Sequence, residues 1–253
     1  MKEIIESINL PKQILDKAEK LISTIFGPSA KELGELFADK IRYKRLKNQV
    51  TIFSKTADLL EKNNLQAKEL NLKTLVPLIE QSSLEEDEIL QTKWANLIAN
   101  MCSSIETGLE PKLVKTLSNL SAIEAQALDF IYDRYKLERQ IQFEKSKDSK
   151  YLNYKSIEDV KLNYVTIRFN WVKQNFNLTD EFTKICTDNL EALGLIRYEE
   201  PEIEIENTSR NEVRGDDEGG QYVDLDIYAT YNQSDDFYLT SYGNYFISQC
   251  KDK

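Results

Sequence analysis

Two groups of side chains have the types and spacing to do chemistry. The first is cationic: Lys40, Arg42, Lys44, Arg45 and Lys47 fall within eight residues. On a helix Arg42 and Arg45 lie three apart, as do Lys44 and Lys47, so they form a band around Tyr43 and Leu46. Such a band could hold nucleic-acid phosphates with a salt-dependent affinity. It could equally be a solvated face neutralised by Glu35 and Asp39 or by the acidic C-terminal third. The second group is anionic. Glu202, Glu204 and Glu206 alternate along one strand face, and Asp224 and Asp226 along another. Brought together, they could gather a divalent cation with its waters. No lysine accompanies them at nuclease-like spacing, so the plainer expectation is the solvent face of a hairpin. A third cluster, Glu85-Glu86-Asp87-Glu88, is best placed to meet the positive end of a helix rather than a metal.

The chain has no histidine, which removes imidazole-based triads, proton shuttles and metal ligands. The glycines form neither a Walker loop nor a dinucleotide fingerprint. Cys102, Cys186 and Cys250 are far apart and contain no CxxC pair, so neither a zinc knuckle nor a disulfide framework is indicated. These features predict no catalytic residue, no metal site and no cofactor. No run of about 18 apolar residues exists to span a membrane. MKEIIESINL is a poor signal peptide, and the expected compartment is the cytoplasm.

The net charge of −10 is concentrated. Residues 179–230 hold fifteen acidic side chains against four basic ones, which leaves the first 178 residues slightly cationic. Only the C-terminal third should repel polyanions.

The elements that must position these groups are mostly helical. Pro11, Pro28 and Pro111 stand where helices can begin, because a proline at the first helical position gives up no intrahelical bond. Helices are therefore expected at about 11–26, 28–62 and 111–119. In the second, Tyr43, Leu46, Val50, Phe53, Ala57 and Leu60 make a heptad-like seam that Leu33, Leu36, Phe37 and Ile41 widen, and Asn63-Asn64 offers a stop. A short helix around 72–79 should be kinked by Pro77 or start there. Ser83-Leu84-Glu85-Glu86 and Ser121-Ala122-Ile123-Glu124 both have the form of capping boxes. The first should open a helix through Trp94 and Met101. The second should open one over 121–138, with Lys145–Lys150 as a polar loop.

A weakly patterned helix over 156–175 would contain β-branched Val165, Thr166 and Ile167. Thr179 caps a helix carrying Phe182, Ile185, Cys186, Leu190 and Leu193, and Gly194 can end it. Alternation over 195–206 and 221–231 predicts one β-hairpin with a long tip at 207–220, followed by a helix at 240–250. The expected fold is mainly α: a multi-helix region (1–119), then a winged-helix-like α+β region (120–253). The helix from Thr179 would occupy the reading position of a winged helix, but it has one cation among four anions and is a poor reader of DNA.

These segments resemble the Abi-alpha family, a bacterial family linked by name to abortive infection by phage. The resemblance is carried by Ala30-Lys31-Glu32-Leu33-Gly34-Glu35-Leu36-Phe37, by Ile41-Arg42-Tyr43-Lys44-Arg45-Leu46, and by Leu75-Val76-Pro77-Leu78-Ile79-Glu80. Ser83 to Glu88 and Trp94-Ala95-Asn96-Leu97-Ile98-Ala99 complete it. It spans about 28–200, with a looser match near Leu239-Thr240 and Gly243 to Phe246. It implies a role in phage defence and brings no catalytic residues. The expectation is a non-enzymatic binding or effector module with a phage or host protein as partner. The alternatives are a nucleic-acid-binding regulator using the basic band and a carboxylate-dependent, metal-assisted nuclease.

Overall fold

The computed structural model describes residues 12–26, 40–148, 154–207, 214–215, 221–222 and 227–251. The protein is mostly helical, with a small three-stranded antiparallel sheet near the C-terminus. Helix α1 (Lys12–Phe26) buries Ala18, Leu21 and Ile25, spaced by three and four, and packs on α2 (Lys40–Lys62). In α2 the expected seam is present: Val50, Phe53 and Leu60 are buried, and Leu46 and Ala57 pack against the core. Asn64 ends it in a left-handed conformation. Residues 28–39, with Leu33, Leu36 and Phe37, lie outside the described set, as do the side chains of Ile41 and Tyr43.

Helix α3 (Leu72–Ser82) starts five residues before Pro77 and continues through it, with Asn71 accepting from the Thr74 N–H as N-cap. Helix α4 (Glu88–Ser103) does not open on Ser83. Ser83 closes α3 instead: its hydroxyl donates to the Glu80 carbonyl and accepts from Arg45 Nε rather than from a backbone N–H of the next helix. The cap is Asp87, whose Oδ1 accepts from the Ile89 and Leu90 N–H groups at 2.8 and 3.1 Å. Glu85 in turn accepts from the Asp87 N–H. The acidic turn thus satisfies a helix start, as its position suggests. Helix α5 (Glu110–Ser118) follows, with Pro111 in its first turn.

The Ser121/Glu124 capping box opens α6 (Ala122–Lys147), which runs nine residues past its expected end and absorbs the start of the supposed polar loop. Arg139 and Gln142 donate to the Val160 and Tyr164 carbonyls, so tertiary bonds hold the extra turns. The segment after it is not one helix. Two 3₁₀ turns (Ile157–Asp159 and Leu162–Tyr164) lead into strand β1 (Thr166–Ile167) and a short α7 (Phe169–Phe176). The β-branched run prefers an extended backbone, and Val165 and Ile167 are fully buried in it.

Helix α8 (Asp180–Ala192) is capped by Thr179, and Gly194 adopts φ +74° beyond its end. Strands β2 (Ile196–Tyr198), β3 (Glu202–Asn207), β4 (Arg214–Gly215), β5 (Gln221–Tyr222), β6 (Ile227–Asn232) and β7 (Phe237–Leu239) precede α9 (Ser241–Cys250). The hairpin is present as β3 against β6, with β4 against β5 beyond it. Sequence alternation missed β7, which is too short to show a period. It is the centre of the sheet, in the order β1–β7–β2.

Helix α9 then returns to the helical body. Asn100 Nδ2 donates to the Gln249 carbonyl at 2.8 Å, and the Thr116 and Tyr242 hydroxyls are 2.7 Å apart. Cys102, Cys186 and Cys250 are all buried and unpaired. Burial pushes the Cys102 and Cys250 thiols up to about 12. At the start of α9, Gly243 lies directly on the Leu195 backbone, and a Cβ there would collide with the Leu195 carbonyl. Gly243→Ala should therefore cost about 1–3 kcal/mol, the usual range for overpacking against a backbone that must shift. Urea unfolding of the variant against the wild type measures it.

Candidate functional site

Helix α8 is held by a face that sequence hydrophobicity does not announce. Its buried positions are Thr183, Cys186, Thr187 and Leu190, at the 3-1-3 spacing of one helical stripe. The two threonines can face inward because Thr183 Oγ1 donates to the Thr179 carbonyl at 2.8 Å and Thr187 Oγ1 to the Thr183 carbonyl at 3.0 Å. Their hydroxyls are satisfied within the helix and their methyl groups pack. Phe182 and Ile185, more apolar than either, are left 45% and 56% exposed. Their sequence position beside Cys186 suggests a single apolar stripe. The recognisable signal is instead the Thr-x-x-Cys-Thr-x-x-Leu pattern.

The one cation of α8 is not free to meet a ligand. Lys184 Nζ lies 2.9 Å from Asp235 and 3.6 Å from Asp188, and 3.8 Å from the centre of the Tyr198 ring. Burial alone would lower its ammonium, but the Asp235 bond and the Tyr198 contact outweigh it and hold Lys184 above the ordinary lysine value. The Tyr198 hydroxyl sits 2.6 Å from Thr187 Oγ1 and 2.7 Å from Asp188 Oδ1. Asp180 pairs with Lys173 of α7, and Glu191 accepts from the Tyr198 N–H. What α8 presents to solvent is therefore two apolar side chains bordered by carboxylates.

The hairpin adds a second apolar pair. Ile203 stands opposite Tyr231 in the β3–β6 register, and they are 64% and 60% exposed. Glu202, Glu204 and Glu206 are registered opposite Asn232, Thr230 and Tyr228 respectively, so no carboxylate faces them across the ladder. The side chains of these three glutamates, and Asp224 and Asp226 altogether, lie outside the described residues. Among the described residues no group of three or more His, Cys, Asp or Glu side chains is gathered to hold a metal ion.

The basic band begins at the first described residue of α2. The side chains of Lys40 and Arg42 lie outside the described set. Lys44 is 3.4 Å from Glu86, both exposed, and Arg45 Nε donates to Ser83 Oγ at 2.8 Å in a partly buried position. Asn48, one turn on from Arg45, donates to the Ser83 carbonyl. Lys47 is exposed. The structure thus brings Lys44 and Arg45 onto the 83–86 turn rather than onto the acidic third of the chain.

A family model described as Abortive infection alpha matches residues 38–250, from the basic band through α9. The chain belongs to the abortive infection alpha family. Membership associates it with abortive infection, and the match takes in the hairpin and α9 that the sequence resemblance reached only loosely. Neither a curated protein nor a solved structure matches at a significant level.

The division of labour within the band has an energetic signature. Arg45→Met should cost about 1–2 kcal/mol, since a charge-assisted bond is lost and Ser83 is left with an open acceptor. Lys47→Met, at a solvent-facing site, should stay within about 0.5 kcal/mol. Denaturant titration of the two variants measures the difference.

Proposed function

We propose that this member of the abortive infection family acts in the cytoplasm as a non-enzymatic effector module that docks a phage or host protein. Its segment 120–253 would be a winged-helix-like unit adapted to that purpose. The order α6–β1–α7–α8–β2–β7, with strands β3 to β6 inserted between the last two, and the sheet order β1–β7–β2 support the winged-helix reading. In such a unit α8 holds the position of the reading helix and the β3–β6 hairpin that of the wing.

The observation that carries the docking reading is the surface of α8. A helix that enters a DNA groove relies on cations for much of its affinity. Here the single lysine is spent on Asp235, while Phe182 and Ile185 stand in solvent. Exposed aromatic and aliphatic side chains bordered by charge are the makings of a protein interface core with a polar rim. The acidic border favours a partner whose rim is basic. Ile203 and Tyr231 on the hairpin extend the apolar area available to such a partner. The basic band supports nucleic-acid binding less well, because Arg45 is committed to Ser83.

Phe182→Ser/Ile185→Ser tests this. Both sites are exposed, so stability should change by no more than about 1 kcal/mol. The variant should lose the protection that wild-type protein gives a susceptible host under phage challenge, scored as infected-cell survival and phage yield. Full protection by the well-folded variant would refute the α8 interface. Tight, salt-dependent binding of DNA or RNA in a mobility-shift series would replace the docking reading with the regulatory one.

A further inference from the structure

A second feature lies away from α8 and shares none of its residues. An open cleft of about 580 Å³ is bordered by α6, the 158–163 turns, the outer face of the β1–β7–β2 sheet and the first turn of α9. That volume is in the range of small-molecule sites. Three cations line it, Arg139, Lys161 and Arg197, against one carboxylate, Glu158.

The cations are placed by the fold. Arg197 is the direct cross-strand neighbour of Tyr238, so both project from the same sheet face, while Ile196, Phe237 and Leu239 of the same two strands turn inward and are buried. Arg139 is fixed by one bond, from Nε to the Val160 carbonyl at 3.1 Å, and lies 5.7 Å from the Tyr135 ring. Among the described residues the rest of its guanidinium, and all of that of Arg197, have no protein acceptor. Ser241 and Asn244, in the first turn of the ten-residue α9, line the opposite wall at the positive end of the helix.

The last observation concerns Tyr135, which also lines this cavity. It is 2% exposed, and its hydroxyl is buried without a hydrogen-bond partner. A buried phenol usually finds one, so this wall of the cleft carries an unmet polar group at a cost to the protein's stability.

We infer that this cavity binds a small phosphorylated molecule. Its phosphoryl group is held by Arg139, Arg197 and the start of α9. Its organic part rests on Leu162 and Tyr238. Three cations against one anion leave a surplus of two positive charges, which suits a phosphate dianion better than a carboxylate. A long polyanion is disfavoured, because Glu199 and Glu200 flank the same sheet edge and the acidic hairpin follows.

The probe is phenyl phosphate, titrated calorimetrically into the full chain at constant ionic strength, with phenol as the uncharged control and benzoate as the carboxylate control. Phenyl phosphate should bind, phenol should not, and benzoate should bind more weakly. Arg197→Gln, at an exposed position without a protein partner among the described residues, should melt like the wild type and bind about tenfold less tightly. Tyr135→Phe should raise the melting temperature of the free protein, by removing the unmet hydroxyl, and leave the affinity for phenyl phosphate unchanged. The proposal is overturned if phenyl phosphate gives no heat beyond that of phenol, if benzoate binds as tightly, or if Arg197→Gln retains full affinity.

Discussion

The arrangement depends on how α4 is enclosed. From Leu90 to Cys102 nearly every side chain of this helix is buried, and α2, α6 and α9 all pack on it. The one charge it carries into that environment is Lys93. Its side chain is 7% exposed, and its ammonium sits 2.8 Å from both carboxylate oxygens of Asp129 on α6. Such a pair adds little net stability over an apolar substitute, but removing either partner strands a charge. Helix α6 in turn carries α7, α8, β1 and β7. The ion pair thus ties α4 to α6, and the Asn100–Gln249 and Thr116–Tyr242 bonds tie α9 to α4 and α5.

Much of this was legible in the sequence where a local signal decides the structure. The Ser121/Glu124 box, the Thr179 cap, Gly194 beyond α8 and the α2 seam all behave as their types and spacing indicate. Reading failed where a local signal had a competing tertiary use. Ser83 has the pattern of a cap, but Arg45 from a distant helix engages it, and Asp87 takes the role. Residues 145–147 look like a loop, yet bonds from Arg139 and Gln142 to the following segment keep α6 wound. The β7 strand has three residues and is defined by its two neighbours, not by itself.

The candidate surfaces were legible to a different degree. Charge can be counted, so the acidic end and the basic band are plain in the sequence. Exposure cannot be counted. It was the hydrogen-bonded threonines of α8 that freed the inner face for small side chains and left Phe182 and Ile185 outside. The cavity beside Arg139 and Arg197 was likewise invisible, because its residues come from α6, a pair of 3₁₀ turns, two strands and a helix start.

The three unpaired cysteines have a practical meaning beyond packing. They sit in α4, α8 and α9, one in each of the elements that define the centre, the candidate interface and the closing helix. Since burial keeps Cys102 and Cys250 as neutral thiols and shields all three from solvent, an alkylating reagent meets them only when their own element opens. The molecule thus carries native clocks at three sites. Labelling of Cys186 ahead of the other two would mark a loosening of α8 alone, whereas simultaneous labelling of Cys102 and Cys250 would mark release of α9 from the body.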